Sequence, residues 1–297
     1  MSRIQNILNK AERDGTVRRM RGLTDAGPAF ASLESGAAAI PAPLPAVPVT
    51  PVTHVVPSMP VSSVVSPDIG APAATAVPQT YPLRTVRGPH LAPTLVAALA
   101  PDAVTAEQYR ALRTRVLHAD NGAPVHLLLV TSPGRGEGKT VTAANLALAM
   151  AQEFQQRVCL VDANLRSPHV HRLFDLPEAP GLTDVLVGRA ALEDALVAIE
   201  DFEITILPAG DPAAHPAELL GSASMRRLLD SLRSHFDRVV IDAPPTAPLA
   251  DVGIITPLVD NVVLVVRAGV TSKPSIQDAV AAIDHGKLLG VVLNEAG

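Results

Sequence analysis

The residues best suited to chemistry lie in Ser132-Pro-Gly-Arg-Gly-Glu-Gly-Lys-Thr140. Gly134, Gly136 and Gly138 let the backbone turn so that successive N–H groups face one anion, and a helix starting here adds the positive end of its dipole. In such a loop, which includes Arg135 and Glu137, Lys139 reaches the β- and γ-phosphates of a nucleotide and the Thr140 hydroxyl holds Mg²⁺. The strict eight-residue pattern would open on glycine where Pro133 stands, so the loop is a variant, and the competing reading is an ordinary glycine-rich turn. Two acids close apolar runs elsewhere, Asp162 in Val158-Cys-Leu-Val-Asp and Asp242 in Val239-Val-Ile-Asp. A carboxylate at such a place binds Mg²⁺, or orients or deprotonates a nucleophile. Either Asp alone could instead cap the next helix, but beside the loop both point to phosphoryl chemistry.

These residues need a frame. Strands are predicted at Val125–Thr131, Arg157–Asp162, Ile204–Leu207, Arg238–Ile241, Asn261–Arg267 and Leu288–Leu293, with helices over Thr140–Gln155, Ala217–His235 and Lys273–Asp284 between them. Near-continuous apolar strands alternating with helices predict an α/β fold, a doubly wound, mostly parallel sheet covered on both faces. The carboxyl ends of its strands form the ligand crevice. This domain is assigned to residues 90–297. Ahead of it, 23–89 reads as a disordered Pro/Ala/Val-rich linker, because its prolines block helix and central strand alike. Residues 1–22 read as a short basic amphipathic helix, with Ile4, Ile7, Leu8 and Ala11 on one face. Membrane-surface contact, docking to a partner and a frayed terminus compete as its role.

Composition narrows the classes. The 297 residues carry a net charge of −5, which excludes a nucleic-acid binder working by bulk charge. The hydrophobic share of 47% is inflated by Ala and Val, and the apolar runs are too short to span a membrane. A single cysteine, Cys159, excludes an internal disulfide framework and a cysteine-type zinc site; it reads as core packing. With no secretory h-region after the charged start, a cytoplasmic protein is expected.

The motifs together resemble the bacterial tyrosine kinases of exopolysaccharide and capsule biosynthesis, cytoplasmic type, within the deviant Walker A P-loop ATPases. Ser132–Thr140 stands for their Walker A. Val161-Asp-Ala-Asn-Leu-Arg-Ser-Pro168 matches a Walker A′ of Asp-x-Asp-x-Arg form, and Ile241-Asp-Ala-Pro-Pro245 a Walker B. Glu107-x-x-Arg110-x-x-Arg113, Gly181-Leu-Thr-Asp-Val-Leu, Leu207-Pro-Ala-Gly and Gly290-Val-Val-Leu-Asn294 extend the likeness over about 102–297. The resemblance implies ATP and Mg²⁺ as cofactors, bound by Lys139 and Thr140, with Asp162 and Asp242 as Walker A′ and Walker B carboxylates and Asn294 near the adenine. It implies a homo-oligomer joined through Glu107, Arg110 and Arg113, whose spacing also allows local i,i+3 ion pairs. It further implies a separate membrane-bound polysaccharide co-polymerase or activator, which would place the protein at the inner face of the cell membrane.

Three departures stand against the pattern. Asn164 replaces the second Walker A′ acid and cannot take a proton. The chain ends at Gly297 without the family's tyrosine cluster, so autophosphorylation of such a tail is not expected. Tyr81 and Tyr109 are its two tyrosines. The expected function is a Mg-ATP-dependent protein-tyrosine kinase of exopolysaccharide synthesis or export. The alternatives are a nucleotide switch of the partition and division-site ATPase type, whose signature lysine would fall at Gly134, and an ATP-bound oligomeric scaffold. His169 and His171 read as surface histidines rather than a metal pair. Arg267 and Lys273 are expected near the crevice, and Asp251 either caps a helix or faces a neighbouring subunit.

Overall fold

A computed structural model describes residues 83–118, 124–153, 156–248, 250–284 and 286–295 of the chain. The expected helix over 1–22 and the linker as far as residue 82 lie outside them. Eight strands form one sheet: β1 (Arg84–Val86), β2 (Leu127–Thr131), β3 (Val158–Asp162), β4 (Val197–Ile199), β5 (Ile204–Leu207), β6 (Arg238–Asp242), β7 (Asn261–Arg267) and β8 (Leu288–Asn294). Their order is β1-β4-β5-β3-β6-β2-β7-β8. From β5 to β8 all neighbours are parallel; β4 runs antiparallel to β5, and β1 follows β4. The doubly wound α/β architecture is therefore as the sequence predicts. From β2 the chain crosses over to β3 on one side, and from β6 it crosses to β7 on the other, which opens a crevice at the carboxyl ends of β2, β3 and β6.

The longer helices are α1 (Val104–His118), α2 (Lys139–Ala151), α3 (Ala223–His235) and α4 (Lys273–Ala282). Alternation along the strands sends side chains to two cores. Leu128, Val130, Leu160, Val240 and Val263 pack with Ala143, Ala147 and Met150 of α2. Leu129, Val161, Ile241 and Leu264 pack with Met225, Leu228 and Leu232 of α3 and Val280 of α4. Because α2 is covered on all sides, Thr142 through Ala151 are all buried, which explains its apolar composition around the whole circumference. The one amide inside it is satisfied: Asn145 accepts from Ala97 N at 2.9 Å and donates to the Thr94 and Val141 carbonyls.

Two expectations need correction. Arg84–Val86, assigned to the linker, forms β1; Pro82 and Pro89 flank it, and an edge strand tolerates prolines that a central one would not. The predicted helix 217–235 is two, Pro216–Leu220 and α3, separated at Gly221-Ser222, where the Ser222 hydroxyl accepts from Met225 N at 3.1 Å and caps α3. β4, a three-residue strand, was not predicted.

Candidate active site

β2 delivers the chain into the glycine-rich loop and α2 begins at Lys139, so the loop sits at the centre of the crevice. Gly136 and Gly138 hold φ of 75° and 86°, the left-handed region that costs a residue with a Cβ. At Gly138 a Cβ would also collide with the side-chain amide of Asn294. That amide donates to the Glu137 carbonyl at 3.1 Å, so Asn294 buttresses the loop from β8. Glu137 is buried; its carboxylate accepts from Gly134 N at 3.1 Å and from the Thr271 hydroxyl at 2.7 Å. Glu137 thus shapes the loop from inside, while Arg135 is exposed at its tip.

Lys139 Nζ lies 3.5 Å from Asp242 Oδ1 and donates to Thr140 Oγ1 at 3.1 Å. Thr140 in turn donates to Asp242 Oδ2 at 2.7 Å. Asp162 faces Asp242 across the β3–β6 register, and neither carboxylate is exposed. Asp162 is held by backbone: Oδ1 accepts from Asn164 N at 3.1 Å, and Oδ2 from His169 N and Val170 N at 2.9 Å each. Burial, and then repulsion from Asp242, push its carboxyl up to about 7 against the pull of those three donors. Burial also raises the Asp242 carboxyl, opposed first by the Lys139 charge.

A cleft of about 320 Å³ opens above these groups, its lining including Arg135, Lys139, Thr140, Asn164, Arg166 and His169. A hard divalent cation suits the oxygens present: Asp242 Oδ1 is buried with no hydrogen-bond partner, and Thr140 Oγ1 stands beside the same carboxylate. The Asn164 amide nitrogen donates to the Ser167 carbonyl at 2.7 Å.

Other singled-out residues fall elsewhere. Glu107 and Arg110 pair along α1 at 2.7 Å, whereas Arg113 crosses to donate to the Ala149 carbonyl of α2 at 2.7 Å. His169 is exposed, but His171 is buried, which corrects its reading as a surface residue; burial lowers its pKa. Arg267 pairs with Glu295 at 2.6 Å, and neither it nor Lys273 lines the cleft. Cys159 is fully buried in the core of the α3 face. Asp251 opens a short helix, Asp251–Ile255, and pairs with Arg166. That pair, and the role of Thr271, escaped sequence reasoning; the Arg of the Asp-x-Asn-x-Arg run was a signal without a visible partner.

The raised Asp162 carboxyl has a measurable consequence. Between about pH 4 and 7 the folded chain binds a proton there that the unfolded chain releases, so this contribution to stability falls as pH rises. In EDTA, the stability of Asp162→Asn relative to wild type should increase from pH 5 to pH 8, by on the order of 3 kcal/mol. Chemical denaturation at each pH measures this, and a pH-independent difference would contradict it. The difference leaves out His171, whose lowered pKa acts in the opposite sense, and reports the Asp162–Asp242 pair, because removing one carboxylate also relieves the other.

Strand, glycine-rich loop and helix, with a lysine, a threonine and two strand-end aspartates at the switch point of a doubly wound sheet, define a P-loop ATPase-type nucleotide site. A family model described as an AAA domain matches residues 130–287. The chain is 36% identical over 214 residues to the tyrosine-protein kinase YwqD of Bacillus subtilis, covering 71% of this chain and 90% of YwqD. It is 31% identical over 202 residues to the succinoglycan biosynthesis transport protein ExoP of Rhizobium meliloti, 66% of this chain and 25% of ExoP. The kinase domain of the Escherichia coli tyrosine kinase ETK superposes with a TM-score of 0.64 at 27% identity, covering 68% of this chain and 82% of that domain. The chain belongs to the bacterial tyrosine-protein kinases.

Proposed function

We propose that this protein binds ATP with Mg²⁺ and transfers the γ-phosphoryl group to a protein tyrosine in the biosynthesis or export of an exopolysaccharide. The observation that carries this reading is the Lys139–Thr140–Asp242 constellation, with contacts of 3.5, 3.1 and 2.7 Å, facing Asp162 across two strands. Mg-ATP supplies the phosphoryl group and a divalent charge. The rest is positioning and charge neutralisation by the chain. Thr140 Oγ1 and Asp242 would hold the metal; Lys139 and the N–H groups of the loop and first turn of α2 neutralise the phosphates. As the P–O bond to the leaving diphosphate breaks and the tyrosyl oxygen bonds phosphorus, the phenolic proton must leave. Asp162 suits its acceptance: its carboxyl is pushed up to about 7, and its three backbone donors leave one of about four lone-pair sites open. Asn164 makes this the single Walker A′ carboxylate.

The acceptor is a tyrosine on another protein. Tyr109, on α1, is partly buried, which makes it a poor acceptor. Incubation with γ-labelled Mg-ATP beside Lys139→Met tests the proposal, reading free phosphate and phosphotyrosine in the protein and in a lysate. Label on tyrosine that the variant lacks supports it. Free phosphate without phosphotyrosine points to the nucleotide-switch reading, and neither product, with nucleotide bound, to a scaffold.

The protein assembles as a homo-oligomer through α1 and works with a separate membrane-bound activator at the inner face of the membrane. In support, Glu107 is largely exposed, and no helix among the described residues is long and apolar enough to cross a membrane. Glu107→Arg sets two like charges against each other along the helix and across any such contact. It should shift the light-scattering mass with ATP toward the monomer, and an unchanged mass would remove Glu107 from the interface.

A further inference from the structure

We infer that Arg166 and Asp251 form a positioning pair that holds the two aspartate-bearing strand ends in register, an assignment that rests on reading the cleft as a Mg-nucleotide site. Arg166 Nε donates to Asp251 Oδ2 at 2.7 Å and a second guanidinium nitrogen donates to Oδ1 at 3.1 Å, the two-pronged geometry that fixes orientation as well as distance. Arg166 stands four residues after Asp162, on the loop that leaves β3. Asp251 stands nine residues after Asp242, at the end of the loop that leaves β6. The pair therefore closes a ring: out of one strand along Asp162–Arg166, across the ion pair, and back along Asp251–Asp242 to the neighbouring strand, where Asp162 and Asp242 are register partners.

The loop after β6 is fastened at its other side too. Thr246 N donates to the Ser132 carbonyl at 2.8 Å and Ala247 N to the Pro133 carbonyl at 3.3 Å, at the foot of the phosphate loop. Arg166 is thus a side-chain link from the Asp162 loop to a segment already tied to the phosphate loop, added to the backbone bond from Ala163 N to the Asp242 carbonyl at 2.9 Å. Burial is unequal across the pair. Asp251 is 1% exposed, whereas about a third of the Arg166 side chain reaches solvent along the cleft. A buried carboxylate with its charge matched by a half-exposed arginine belongs to the scaffold, and its effect on the chemistry runs through the geometry of Asp162 and Asp242.

The unequal burial also selects the variants. Asp251→Asn leaves a guanidinium that water can reach and should fold. Arg166→Gln strands a buried carboxylate, and Arg166→Lys keeps the charge but cannot bridge both oxygens. Two readouts decide the matter, hydrogen exchange of the nucleotide-free chain and the ratio of nucleotide affinities with Mg²⁺ and with EDTA. For Asp251→Asn the amides of 243–255 should exchange at least tenfold faster, while those of β2 and β7 stay as in wild type. The Mg²⁺-dependent tightening should shrink at least fivefold. Arg166→Lys should behave like Asp251→Asn, and the double variant Arg166→Lys/Asp251→Asn no worse than either. Unchanged exchange in 243–255 would overturn the pairing role. Additive losses in the double variant, or tighter nucleotide binding by Asp251→Asn, would overturn it as well, because Arg166 would then be a ligand that Asp251 withholds. If the wild type shows no Mg²⁺-dependent nucleotide binding, the functional reading fails, and the exchange data still decide whether the pair orders the loop.

Discussion

Lys139→Met should lower both phosphate release and tyrosine labelling by on the order of a hundred- to a thousandfold, the scale on which a single preorganised charge acts on a developing oxyanion. The Lys139 side chain is only 11% exposed, so its charge works where water screens it little. In the nucleotide-free protein that charge lies against Asp242 and opposes the rise of its carboxyl. Removing it lets Asp242 take up a proton more readily, which leaves a neutral pair in the core in place of an ion pair. The variant therefore folds, and its lost activity reads as lost chemistry. Single-turnover assays with γ-labelled ATP measure the effect. Residual transfer above a tenth of wild type would mean that the loop amides and the metal carry the charge without Lys139.

Gly181→Ala should destabilise the domain by about 3 kcal/mol or more, the upper end of what overpacking costs. In a domain of this size that corresponds to a fall of roughly 6–12 °C in Tm. An added Cβ would run into the backbone nitrogen of Gly210, and would sit 2.5 Å from the Pro208 carbonyl oxygen and 2.7 Å from Gly210 Cα. All are backbone atoms and cannot swing aside. The two segments are also bound together, with Leu182 N donating to the Pro208 carbonyl at 2.7 Å and Thr183 N to that of Ala209 at 2.8 Å. Beneath them Asp184 accepts from Gly181 N at 2.9 Å and from Arg189 at 2.7 Å. Gly253, with nothing within 4 Å of its added Cβ, is the control, and alanine there should be neutral or slightly stabilising. Equal melting temperatures for the two variants would refute the steric account.

The contrast between these sites shows how legibility divides along the chain. Lys139, Thr140, Asp162 and Asp242 were legible as one cluster because each sits next to a strand whose apolar run announces it. The longer inner strands were readable for the same reason, as continuous burial makes their middles apolar and leaves polar residues at their ends. β1 and β4 were not: at three residues, near a sheet edge, they carry no period to detect. Gly181 and Gly210 were visible as motif residues, but their reason, a contact between backbones 29 positions apart, exists only in three dimensions. Arg166 and Asp251 are the same case in charge rather than in volume. Asn294 holds the carbonyl of Glu137, a contact that the seven residues of β8 and their register on β7 create.

The place of β1 in the sheet bears on how the domain carries load. It is an outermost strand whose three residues pair with β4 alone, while the catalytic candidates stand at the ends of β3 and β6 and at the start of α2. Tension applied at Leu83 meets three residues of pairing first, and would peel them away one hydrogen bond at a time. From there the chain runs on to Ala92, whose N–H donates to the Leu173 carbonyl at 2.9 Å, and to Ala97, whose N–H donates to Asn145 of α2 at 2.9 Å. β1 is thus the first pairing that load along the chain meets, and α2, which begins at Lys139, is tied to the chain a few residues further on.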